Sequence, residues 1–90
     1  MVVRNEKDWL TARLGDEVFL MSVKGKDVIG LDEVSVEIWT ILETPRSLDE
    51  VCLMISKQFR VAPDECRPDV QRVLDSLKQQ GATVDQSGEP

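Results

Sequence analysis

The run Val28 to Leu42, VIGLDEVSVEIWTIL, constrains this chain more than any other stretch. Its first part, Asp27 to Leu31, reads as a short strand. At Asp32 it hands over to a strongly apolar helix that ends near Glu43. Asp32 is a fitting N-cap, because its carboxylate accepts from the unpaired amides of a first helical turn. Leu31, just before the cap, can staple onto that turn. Val34, Ile38, Ile41 and Leu42 share one face at helical spacing, while Val36 and Trp39 lie off it. A helix that is apolar nearly all round has to be covered on more than one side. The run therefore predicts a central post, with a sheet before it and further helices after it.

The flanking segments agree. Met1 to Asp8 is polar after two valines and is expected to be loose. Trp9 to Leu14 reads as a strand, Gly15-Asp16 as a tight turn, and Glu17 to Val23 as a second strand rich in β-formers. Lys24-Gly25-Lys26 turns the chain into the third strand, Asp27 to Leu31. Such a meander leaves its first and third strands on the edges. Beyond the apolar helix, Pro45 blocks continuation, and Ser47 with Glu50 spells a capping box. Leu48, Val51, Cys52, Ile55 and Phe59 then form an amphipathic stripe, with Leu53 and Met54 off it. Pro63 or Pro68 suits the first turn of a third helix, whose stripe is Val70, Val73, Leu74 and Leu77 and whose stop is Gly81. Ala82 to Val84 can form a short closing strand. The expected fold class is α+β: one domain over residues 1–84, a three-stranded antiparallel sheet followed by three helices in a winged helix-turn-helix arrangement. Residues 85–90 are expected to be a flexible tail.

Charge and residue usage narrow the function. The net charge of −6 disfavours nucleic acid and anionic membrane, which are bound through Lys and Arg. The third helix sharpens the point, with Asp64, Glu65, Asp69 and Asp75 against Arg67, Arg72 and Lys78. A recognition helix in a major groove is normally basic. Apolar runs are too short to span a bilayer. The N-terminus lacks the order of a signal peptide, so a cytoplasmic location is expected. Histidine and tyrosine are absent, and the serines have no visible base, so no catalytic constellation stands out and no enzyme is expected. Without histidine or a CxxC pair no metal site is expected, and Cys52 and Cys66 read as reduced core residues. Gly25-Lys26 lacks the spacing of a phosphate loop, and no cofactor is expected.

A free sheet edge remains as the candidate site. Unpaired amides and carbonyls invite a guest strand, whose backbone gives affinity and whose side chains give specificity. The third strand carries Val28, Ile29 and Leu31, guarded only by Lys24, Lys26 and Asp27. Alternation puts Ile29 and Leu31 on one face and Val28 and Gly30 on the other, so one pair is free of core duty. The same residues also read as plain core. Gly30 fits either a close backbone approach or a bulge. On the first reading, a proline at Ile29 should abolish guest binding and leave the helices intact.

Several short patterns recur here in a set order: Leu31-Asp32, Ile38-Trp39, Ser47 to Val51, Val61 to Glu65, and Asp69-Val70 with Leu74, Leu77 and Gly81. This ordered set resembles the PqqD-like family, the RiPP recognition elements, over residues 17 to 84. The resemblance implies a leader-peptide-binding module without catalysis of its own. It implies that the leader of a ribosomally made precursor adds antiparallel to the third strand, with apolar side chains in the cleft toward the third helix. The residues so implicated are Lys26, Asp27, Val28, Ile29, Gly30 and Leu31 on the strand, and Asp69, Arg72, Val73, Ser76 and Leu77 on the helix. Val73 and Leu77 carry a second reading as core. The implied partners are a precursor peptide and a modifying enzyme. The IGLDEVSVEIW form is similar to stand-alone elements of lasso-peptide pathways, where the partner is a leader protease. Three alternatives stay open: a PqqD-type peptide chaperone for a radical SAM enzyme, a winged-helix DNA-binding protein, and a structural subunit docked through Leu53 and Met54.

Overall fold

The computed structural model describes residues 1–86. In chain order the elements are β1 (Val2–Arg4), β2 (Trp9–Leu14), β3 (Glu17–Ser22), β4 (Val28–Leu31), α1 (Glu33–Ile41), α2 (Leu48–Phe59), α3 (Pro63–Gln79) and β5 (Thr83–Asp85). The expected α+β layout holds: an antiparallel sheet in the order β2-β3-β4, then three helices. Gly15, at φ 63°, closes the two-residue turn between Leu14 and Glu17. The third strand begins at Val28, one residue later than expected. Asp27 instead ends the connection, with its carbonyl held by the Ser22 N–H at 2.9 Å.

The N-terminal segment departs from expectation. Residues Val2–Arg4 are not loose but form a strand that pairs antiparallel with β5, Val3 opposite Val84. On its other side Val2 exchanges backbone bonds with Arg46, and the Arg4 N–H donates to the Leu42 carbonyl. β1 thus straps the end of α1 to the end of the described chain. Three residues are too few to show alternation, and every partner lies far away in sequence, so no local pattern announces this strand. β5 also runs one residue past the expected Val84, taking Asp85 from the expected tail. Gln86 follows it, with its N–H donating to the Met1 carbonyl, and residues 87–90 of the expected tail lie outside the described residues.

The helices are set by their caps. The Ser35 N–H donates to the Asp32 carboxylate at 2.8 Å and starts α1. The capping box of α2 is complete, with Glu50 N–H to Ser47 Oγ at 3.1 Å and Ser47 N–H to the Glu50 carboxylate at 2.9 Å. α3 starts at Pro63, and Pro68 lies inside the helix rather than at its start. Ala62 cannot cap with its side chain, so only the Glu65 carboxylate serves, accepting the Ala62 N–H at 3.1 Å. At the other end Gly81, at φ 79°, makes a Schellman stop: Gly81 N–H bonds Lys78 and Ala82 N–H bonds Leu77.

Two packed clusters share the interior. One lies among the helices and holds Ile38, Leu42, Val51, Cys52, Ile55, Cys66, Val70 and Leu74. The other joins the sheet to α1 and α3 through Trp9, Leu20, Trp39, Leu77 and Ala82. Ile38 and Trp39 thus send adjacent residues of α1 into different clusters, which is why that helix is apolar on more than one side. Trp39 Nε1 donates to Thr11 Oγ1 at 2.8 Å, and the Arg4 guanidinium lies 5.2 Å from its ring centre. A buried indole needs such a partner for its N–H. Cys52 and Cys66 are free and buried. Burial pushes the Cys52 thiol above its ordinary pKa.

Candidate functional site at the edge of the sheet

β4 is an edge strand, and the ladder fixes which of its backbone groups are free. The register pairs Val18 with Leu31, Phe19 with Gly30, Leu20 with Ile29 and Met21 with Val28. The Ser22–Asp27 pair is hydrogen-bonded. Bonded and non-bonded pairs alternate in an antiparallel ladder. Ile29 and Leu31 therefore turn their amides and carbonyls inward to β3, and Val28 and Gly30 turn theirs outward. The outer edge offers one short row of donors and acceptors from these two residues. No bulge interrupts the register, so the bulge reading of Gly30 falls.

The side chains divide by face. Ile29 and Leu31 are half-buried against the sheet cluster. Val28 lies on the opposite face, 62% exposed. Beside the inward-facing pair runs a groove of about 240 Å³. Ile29, Gly30 and Leu31 line it from the strand, Arg72, Val73, Ser76 and Leu77 from α3, and Ser35 from the first turn of α1. Seven of the residues implicated by sequence thus meet around one cleft.

Four of the implicated residues stand elsewhere. Lys26 and Asp27 are exposed in the connection before β4. Val28 is on the outer face. Asp69 lines a separate apolar cavity of about 210 Å³ with Val34, Ile55, Phe59, Val61, Glu65, Cys66 and Val70. It is linked to the groove by its ion pair with Arg72, 2.9 Å across one turn of α3. Both partners are largely exposed, so the pair adds little stability.

The two readings of Val73 and Leu77 are reconciled by position. Leu77 is core, only 3% exposed, and shows the groove its edge. Val73 is half-buried and packs against both clusters, so it forms the joint between them as well as the groove wall. Ser35 was not among the sequence candidates. Its signal was the Asp32 cap, which forces the first turn of α1 up against the end of β4. The bond from Ser35 N–H is the main reason that the Asp32 carboxyl is held below its ordinary pKa, with Arg72 adding attraction from α3.

The cleft has the chemistry of a binding groove: an open strand edge, aliphatic walls, two hydroxyls and one guanidinium. Among the described residues no group of His, Cys, Asp and Glu could hold a metal ion, and no helix is long and apolar enough to cross a membrane.

The family model described as Coenzyme PQQ synthesis protein D (PqqD) matches residues 17–82, a span that runs from β3 through the whole cleft. The chain belongs to the PqqD family. PqqD membership covers both walls of the groove and leaves β1, β2 and β5 outside the match. No curated protein matches. A solved structure, TbiB1 in complex with the TbiA(beta) leader peptide, shares the fold with a TM-score of 0.79. It is 22% identical, and the match covers 94% of this chain and 98% of that one.

Proposed function

We propose that this PqqD-family protein is a recognition element that captures the leader of a ribosomally synthesised precursor peptide. The leader adds as a fourth strand on the outer edge of β4. Its backbone bonds Val28 and Gly30, and alternate side chains enter the groove between β4 and α3. The observation that carries the reading is the coincidence of a free strand edge with a cleft beside it whose aliphatic walls also carry two hydroxyls and a guanidinium. The neighbour TbiB1, solved with a leader peptide, supports it. Two or three buried side chains on a docked strand are consistent with sub-micromolar affinity, about −8 kcal/mol or better. The protein does no chemistry itself and hands the bound precursor to an enzyme. A leader protease of a lasso-peptide pathway is the first partner to test, and a radical SAM enzyme served by a peptide chaperone is the second. The winged helix-turn-helix likeness of the helical trio belongs to this reading as a scaffold. The acidic balance of α3 argues against its use on DNA.

The test is a titration of isotope-labelled protein with two probes: the leader of any short precursor encoded beside this gene, and extended peptides selected from a random display library. Saturable shifts at the amides of Val28 and Gly30, with little change at Thr11 or Arg13 on the β2 edge, are the expected result. Binding that leaves Val28 and Gly30 unshifted would overturn the assignment.

A further inference from the structure

A strand added to β4 cannot direct all its side chains into the groove. Alternation sends every second one to the opposite face of the sheet. That face is apolar: Leu10, Leu14, Met21 and Val28 are all exposed on it, with Phe19 half-buried among them. At the edge the face has a notch. Gly30 lacks a side chain where its neighbour on the same face, Val28, has one.

Nothing within the chain requires glycine there. Gly30 has no positive φ, and a Cβ placed on it would meet only Phe19, with Cε1 at 3.7 Å and Cδ1 at 3.8 Å, ordinary contact distances. Glycine inside a strand also weakens the strand, by about 0.5–1 kcal/mol relative to alanine. The same distances say where the Phe19 ring lies. Its Cδ1–Cε1 edge borders the place a Gly30 Cβ would take, on the face away from the groove. Strands lie roughly 4.8 Å apart, so a guest backbone beside β4 stands roughly 9.6 Å from β3. The Phe19 ring spans the first part of that gap. A short guest side chain opposite Gly30 could not reach it, whereas an aromatic or long aliphatic one could.

We infer that the guest peptide is read on both faces of the sheet, and that its residue opposite Gly30 is a large apolar side chain, preferably aromatic, which lies over the glycine against Phe19. Phe19 and Gly30 are then specificity-determining residues on the face away from the groove. An aromatic side chain covering a cross-strand glycine is a favourable pairing, and two rings in edge or offset contact add to the area they bury. This inference rests on strand addition at β4.

The test uses the intact chain and peptides selected on it from a random display library. Phe19 belongs to neither packed cluster, so Phe19→Ala should fold. Gly30→Ala serves as a second folded variant, and Gly30→Leu fills the notch with the protein's own atoms. Circular dichroism and urea midpoints check the fold of each. Selected peptides that shift the Val28 and Gly30 amides should share a large apolar residue at one position, flanked on both sides by groove-facing residues. Replacing it with alanine should weaken binding about five- to ten-fold against wild type, from the ~1–1.5 kcal/mol of a ring pair, and by less than two-fold against Phe19→Ala. Gly30→Leu should cost a similar factor. If bound peptides shift those amides but show no preference opposite Gly30, and Phe19→Ala binds them as wild type does, the inference fails and strand addition stands. If no bound peptide shifts those amides, both fall.

Discussion

Proline substitutions along β4 test the edge geometry most sharply, because adjacent residues should respond in opposite ways. The Gly30 N–H faces outward, so Gly30→Pro removes no bond of the native ladder. Proline is tolerated on an edge strand when its missing amide faced solvent. Its Cβ would meet only the Phe19 ring, at ordinary contact distance. Stability should stay within about 1 kcal/mol of wild type. A guest strand, however, loses the donor that its carbonyl needs. An acceptor left unpaired in a docked ladder costs about 1–3 kcal/mol, or roughly 5- to 150-fold in affinity. Ile29→Pro is the converse. The Ile29 amide points at Leu20 within the sheet, so this substitution strands the Leu20 carbonyl and should cost about 2–4 kcal/mol of stability. Read from the sequence alone, Ile29 looks like the right place to block a guest; the ladder phase moves that role to Val28 and Gly30. Arg13→Pro, on the opposite edge, is the control and should leave affinity unchanged. Urea unfolding followed by tryptophan fluorescence gives stability, and fluorescence anisotropy with a labelled selected peptide gives affinity. A folded Gly30→Pro that binds with wild-type affinity would refute the assignment of the guest edge. An Ile29→Pro of full stability would refute the ladder phase.

Three further outcomes are expected. Trp39→Phe keeps most of the buried ring but loses the bond to Thr11 and weakens the stacking of Arg4; thermal unfolding should register a loss of about 1–2 kcal/mol, and a double-mutant cycle with Thr11→Val should recover part of it as coupling. Arg60 caps α2 at φ 57°, a conformation costly for a residue with a Cβ, so Arg60→Gly should raise stability by about 0.5–1 kcal/mol after glycine's greater chain entropy is subtracted, read as an upward shift in the urea midpoint. The Asp32 carboxyl has a lowered pKa in the folded state, so its cap contributes fully above the unfolded value near 3.9 and is lost as pH falls through the folded value; wild type should exceed Asp32→Ala by about 1 kcal/mol at pH 7, and the two urea midpoints should converge in acid.

The handover from β4 to α1 was legible in the sequence because every signal for it is local. Leu31, the Asp32 cap and the apolar run after it lie within a few residues of one another, and so do Ser47 with Glu50 and the Gly81 stop. Such interactions form within a turn or two of chain, whatever the rest of the molecule does. The family pattern extended this reading to the cleft, and seven of the named residues do line it. The tertiary structure decided the rest. β1 exists only because β5 and Arg46 come to meet it, and a three-residue strand carries no period of its own. Asp69 shares a helix face region with Arg72 in sequence, yet the small rotation between them sends it to a different cavity. Which amides of β4 face outward depends on the phase of its ladder with β3. Alternation names two possible sets of residues, and only the pairing across strands selects between them.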